Sequence, residues 1–177
     1  MIKHAPLTFL TVLLLLFESS HAAANEKVPP FEKFFIEIGY KTIEEAREDA
    51  ERHFKQELKL PMQVPPISFT HFFGRFNDLE DDINDSFEAL LIHETSTEHR
   101  YKIEVRPLAH KIPISDKYVL EKFILKDEEE AVYMGISGIH ALVFEKEGWQ
   151  YMLSVDKRIS GKVPPDVLVD IADSIEY

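Results

Sequence analysis

From Thr42 onward, apolar residues recur every three or four positions: Ile43, Ala46, Ala50, Phe54 and Leu58, with Glu, Arg, Asp and Lys between them. That spacing lays one stripe along an α-helix, and Thr42-Ile43-Glu44-Glu45 at its start is a capping box. The pattern predicts a helix over 42–58 that ends before Pro61, because proline disfavours helical geometry in the residue preceding it. The stretch ahead of it, 25–39, opens on Pro29-Pro30 and carries Phe31, Phe34, Phe35, Ile36 and Ile38. Its prolines predict an extended lead-in that docks its aromatics.

After Pro61, Pro65 and Pro66 the period changes to two. Ile67, Phe69, His71 and Phe73 alternate with Ser68, Thr70 and Phe72, which predicts a strand over 67–73. Further strands are predicted over 87–93, 101–105, 118–125, 131–136, 140–145 and 149–155. Asp127-Glu128-Glu129-Glu130, Ser137-Gly138 and Glu147-Gly148 are the turns between the later ones. Links this short join antiparallel neighbours, since a parallel crossover needs a dozen residues or more. Pro164-Pro165-Asp166 then opens a second amphipathic helix marked by Val167, Leu168, Ile171, Ala172 and Ile175. The expected fold class is α+β: a single curved antiparallel sheet of six to seven strands, covered on one face by an N-terminal and a C-terminal helix.

The first residues follow a different rule. Lys3 and His4 precede a nearly unbroken apolar run from Ala5 to Phe17, then polar Glu18-Ser19-Ser20-His21 and small Ala22-Ala23-Ala24. This is the layout of a cleaved secretory signal peptide over 1–24, with small residues at −3 and −1 of a cut after Ala22 or Ala24. The run falls short of the roughly 20 residues that a membrane-spanning helix needs, so no stable span is expected after cleavage. Residues 25–177 then form a single α+β domain, expected in a secreted or extracytoplasmic place such as a bacterial envelope. At about 150 residues, such a domain can stand on its core alone.

Composition narrows the chemistry. The 177 residues contain 20 Lys+Arg against 32 Asp+Glu, a net charge of −12, and no cysteine. Strong acidity argues against nucleic-acid partners, which need clustered Lys and Arg. The absence of cysteine removes disulfides, thiolate zinc sites, Cys nucleophiles and a lipoprotein anchor. No G-x-S-x-G, S-x-x-K or H-E-x-x-H spacing occurs. His53, His71, His93, His99, His110 and His140 form no H-x-x-x-H pair and are expected at the surface or at strand edges.

Three groups remain as candidate sites. The acidic loop 78–85 alternates oxygens at Asp82, Asn84 and Ser86, as the first half of a calcium loop does. Phe87 stands where that loop needs glycine, and His93 where it needs a bidentate Glu. Asp78, Asp82 and Asn84 are therefore the expected ligands of a weak Ca²⁺ site at most, and no other cofactor is expected. Phe69, Phe72, Phe73 and Phe76 fall within eight residues. They belong either to a strand buried on both faces or to the lining of an apolar pocket. Trp149 and Tyr151, beside Glu147-Gly148, are either hairpin core or an exposed carbohydrate platform. Pairs of acids such as Glu104 and Glu121 can always be nominated for glycosidase chemistry, and their strand alternation places both with the polar, solvent-facing set.

Two stretches carry a resemblance. Tyr40-Lys41-Thr42-Ile43-Glu44-Glu45-Ala46, followed by Leu60-Pro61 and Val64-Pro65, resembles the opening of an uncharacterised family of extracytoplasmic domains in Firmicutes. Gly138-Ile139-His140-Ala141, Gly148-Trp149-Gln150-Tyr151-Met152-Leu153 and Leu168 through Ile171-Ala172-Asp173-Ser174 are similar to its end. That family closes with a Trp-x-x-x-Tyr hairpin and an Ile-Ala-x-Ser helix, and the Trp149/Tyr151 spacing departs from it. The resemblance implies an envelope location, a non-catalytic role and a relation to lipoprotein-carrier-like half-barrels, and it supplies no site residues.

The expected function is a secreted, non-enzymatic protein that binds an unknown protein partner or ligand through its sheet. The alternatives are an apolar-ligand (lipid or peptide) carrier with a Phe-lined cavity and, ranked lowest, a carboxylate-dependent envelope hydrolase. Protein recovered from its own culture medium is expected to begin at Ala23 or Asn25. Intact-mass spectrometry checks this, and a chain still carrying its first residues overturns it.

Overall fold

The computed structural model describes residues 29–79 and 84–176. The leader expected over 1–24, and Asp82 in the acidic loop, lie outside the described residues. Among the described residues, no helix is long and apolar enough to cross a membrane.

Seven strands of the described residues form one antiparallel sheet: β1 (His71–Asn77), β2 (Ser86–Ile92), β3 (Arg100–Pro107), β4 (Val119–Ile124), β5 (Glu130–Ile136), β6 (Ile139–Lys146) and β7 (Trp149–Asp156). Their spatial order is β1-β2-β3-β7-β6-β5-β4, so β1 and β4 are the edges. Among the described residues three α-helices accompany the sheet: α1 (Pro30–Glu37), α2 (Ile43–Phe54) and α3 (Pro165–Ala172). The α+β class and the antiparallel sheet are as the sequence pattern predicts. The hairpins β5–β6 and β6–β7 turn at Ser137-Gly138 and Glu147-Gly148, where both residues of each pair have positive φ. That is the twist a two-residue hairpin loop needs.

The main core lies on one face of the sheet. Strand alternation turns Phe87, Ala89 and Leu91 of β2, Tyr101, Ile103 and Val105 of β3, and Trp149, Tyr151, Leu153 and Val155 of β7 into this layer. Ala46 and Ala50 of α2 and Leu168, Ile171 and Ala172 of α3 close it from above. Trp149 and Tyr151 are fully buried here. The Trp149 indole N–H donates to Glu57 O at 2.9 Å, and the Tyr151 hydroxyl donates to Lys59 O at 2.9 Å. The two polar tips thus hold the segment after α2 onto the sheet. The exposed carbohydrate platform is thereby corrected: these rings are core, with no face for a sugar.

The segment expected as an extended lead-in is helical. Pro30 occupies the first turn of α1, where its missing N–H costs nothing. α2 and α3 cover one face of the sheet as expected, and α1 lies on the opposite face. Phe31 and Phe35 pack on Tyr40, Phe73, Leu90 and Ile92, with Phe35 and Phe73 stacked at 4.5 Å. Covered from both sides, β2 is buried at every position.

Two further boundaries shift. α2 ends at Phe54 rather than running to Leu58, because Lys55 adopts a left-handed conformation (φ 54°) well before Pro61 acts. The first strand begins at His71 rather than Ile67, since 67–70, following Pro65-Pro66, are irregular; the Thr70 N–H donates to Ile92 O at 2.8 Å, and the ladder with β2 runs from His71.

α2 approaches β1 through Gly74. A Cβ placed there would lie 2.6 Å from Ile43 Cα, 2.7 Å from Thr42 O and 2.9 Å from Ala46 Cβ. The capping box holds the start of the helix, with the Glu45 N–H donating to the Thr42 hydroxyl and the Thr42 N–H donating to Glu45. Lys41 and Gly74 exchange two backbone hydrogen bonds of 2.8 Å. Gly74→Ala is expected to cost about 1–3 kcal/mol, since backbone rather than a flexible side-chain tip must yield. Urea denaturation should show a lower midpoint at unchanged slope.

Candidate functional site

A groove of about 560 Å³ opens at the β1 edge, where α1 and α2 reach the sheet from opposite faces. Ile36 comes from α1, Lys41, Thr42 and Glu45 from the start of α2, and Phe72 and Phe73 from β1. Phe72 and Ile36 remain about half exposed, at 55% and 50%. The charged groups around them are already engaged. Glu45 completes the cap, Lys41 holds Asp49 at 2.5 Å, and Glu32 stands 3.5 Å from His71 Nε2. What the groove offers an incoming molecule is therefore apolar and aromatic surface.

It also offers backbone. Gly74 spends its N–H and C=O on Lys41, outward from the sheet. In an antiparallel strand these groups alternate in direction, so the N–H and C=O of Phe72, two residues earlier, point outward too. Among the described residues no other strand lies beyond β1, and the side of Phe72 turned away from β2 has no backbone partner.

The wall behind the groove stands on a buried carboxylate. Glu88 is 6% exposed; it accepts a hydrogen bond from the Tyr40 hydroxyl and lies 3.6 Å from both Arg75 and Lys102. The Arg75 guanidinium sits 4.5 Å above the Tyr40 ring. Burial, and then the bond to Glu88, push the Tyr40 phenol above its usual range. On β3 the chain of charge continues through Lys102, which holds Glu104 at 2.8 Å, to Arg106, which also bonds Glu104. Glu104, expected to face solvent, is thus mostly enclosed. Burial alone would raise its pKa, but Lys102 and Arg106 outweigh burial and hold the carboxyl below its usual value.

The aromatic quartet does not line one cavity. Phe73 faces α1, whereas Phe72 and Phe76 project to the α2 side. Phe76 packs 4.9 Å from His53 and 5.6 Å from Phe54. Phe69 packs on the main core, 6.4 Å from Phe72. Only Phe72 and Phe73 reach the groove. Of the acidic trio, Asp78 lies beside His53 and Asp85, and Asn84 is exposed. Sequence reasoning missed Ile36 and Lys41 as groove walls, because α1 was not recognised. It missed His53 because 25 residues separate it from Asp78, and no local spacing could pair them.

Compared with family models, curated proteins and solved structures, the chain matches none.

A lowered carboxyl pKa gives a sign for acid stability. Glu104 contributes stability that is fully present above its unfolded value of 4.5 and is lost as pH falls through the lower folded value. Urea midpoints are therefore expected to drop as pH falls below about 5. Glu104→Gln should flatten part of that drop, as a pH series of denaturation curves would report.

Proposed function

We propose that this chain is an exported, non-enzymatic binding domain that takes an extended apolar peptide against the β1 edge. The observation that carries the reading is Phe72, whose ring is 55% exposed on a strand edge and whose backbone points into a groove of about 560 Å³. The volume is that of ordinary ligand sites. An unpaired strand edge beside side-chain pockets supports strand addition, in which main-chain hydrogen bonds give affinity and pockets give specificity. A lipid tail would satisfy the apolar surface and leave the Phe72 N–H and C=O without partners, so the peptide is the better fit.

The internally paired acids favour binding over hydrolysis, since Glu32 and Glu45 already serve His71 and the α2 cap. The signal-like leader and the resemblance to extracytoplasmic domains support export to the envelope or medium.

A displayed library of random heptapeptides, selected on the wild-type protein and counter-selected on Phe72→Glu, tests the reading. Enriched peptides are expected to alternate apolar and polar residues. They should lose at least about tenfold in affinity, roughly 1.4 kcal/mol, on the variant. The variant's Tm should stay unchanged, because the replaced ring is not core. Failure to enrich any peptide that distinguishes the two proteins overturns the proposal.

A further inference from the structure

The far end of α2 carries a second constellation. His53 stands on its last turn, Asp78 directly follows β1, and Asp85 directly precedes β2. One ligand atom from each lies within 4.8 Å of the others. We propose that His53, Asp78 and Asp85 bind a divalent transition-metal ion, with zinc as the best match to the donor set.

Asp85 supplies the independent observation. It is fully buried, and its Oδ1 accepts the Leu79 N–H at 2.7 Å, which fixes the carboxylate plane. Its Oδ2 is also buried and has no hydrogen-bond partner. His53 Nε2 comes within 2.9 Å of that oxygen, but off the line a ring N–H would need to donate to it. A buried carboxylate oxygen left unsatisfied is costly and rare. Two lone-pair donors held close without a hydrogen bond between them are arranged as ligands of a common cation are. Zinc donors at about 2.0–2.2 Å from the ion stand roughly 3.4 Å apart in a tetrahedron. The exposed Asp78 side chain needs only a small swing to complete that spacing.

The chemistry selects the ion. One imidazole nitrogen with two carboxylate oxygens suits zinc and its neighbours, whereas calcium takes oxygen ligands throughout. Among the described residues three protein donors converge here, one short of a tetrahedral set. A cavity of about 450 Å³, bordered by His53, Asp78, Phe76 and Asp49, gives the ion a way in. Arg52, the cation on the same cavity, is held by Asp49 at 2.8 Å. A bound ion would tie the end of α2 to both ends of the β1–β2 connection.

The test uses the purified protein after EDTA treatment, with ZnCl₂, CaCl₂ and CoCl₂ as probes. Zinc at a hundredfold excess over its Kd is expected to raise the Tm by about 5 °C or more. Calcium at the same concentration should leave it unchanged. His53→Gln and Asp78→Asn alter exposed residues, so both should fold. Each is expected to abolish the zinc shift and to lose the visible absorption of the cobalt form. An equal zinc shift in the double variant His53→Gln/Asp78→Asn overturns the proposal, as does failure of the wild type to retain zinc after dialysis. A shift abolished instead by His93→Gln, which disrupts the ring pair His93–His99 at 5.9 Å, also overturns it.

Discussion

The close approach of α2 to the edge strand at Gly74 is the contact on which the rest of the molecule depends. With no side chain there, Thr42, Ile43 and Ala46 rest directly on β1, and Lys41 adds a two-bond bridge to the strand. α2 is a short lever set on that point, and both of its ends matter. Its start forms one wall of the groove, and its last turn carries His53 toward Asp85. The left-handed Lys55 then stops the helix so that the chain can turn down to the anchors at Trp149 and Tyr151.

The opposite face works by different physics. There the sheet is not closed by apolar packing alone. Glu88, enclosed between Tyr40, Arg75 and Lys102, carries a charge whose burial is tolerable only because several donors converge on it. Removing one donor would leave an under-compensated buried anion, which costs more than the pair contributes. The network fixes Tyr40, and Tyr40 with Phe35 and Phe73 fixes α1. An apolar groove at the sheet edge is therefore held open by a polar cluster behind it.

The α+β class, all seven strands, two of the three helices and the hairpin turns were legible because each rests on local periodicity or turn chemistry. The capping box at Thr42 and the two X-Gly turns are of this kind. What was not legible depends on distant partners. Phe31, Phe34, Phe35 and Ile38 do recur at helical spacing, but the prolines ahead of them read as an extended lead-in, and Phe31 and Phe35 find their packing partners, Phe73 and Leu90, only far along the chain. Phe72 and Phe73 are adjacent aromatics with opposite fates, decided by which helix covers which face. Trp149 and Tyr151 left an exposed platform open beside the commoner reading as hairpin core, until a backbone 92 residues away supplied their hydrogen-bond acceptors. His53 had no partner in its own neighbourhood at all.

The strand order has a consequence for the birth of the molecule. β1, β2 and β3 form a local meander, but the neighbour of β3 is β7, the last strand made. A chain emerging from its N-terminus therefore completes β1 to β3 and then waits, its central edge unpaired, through some forty residues between β3 and β7. Only when β7 arrives can Trp149 capture the segment after α2 and the two halves become one core. Such late closure slows folding in solution, because non-local pairing must meet its loop entropy first.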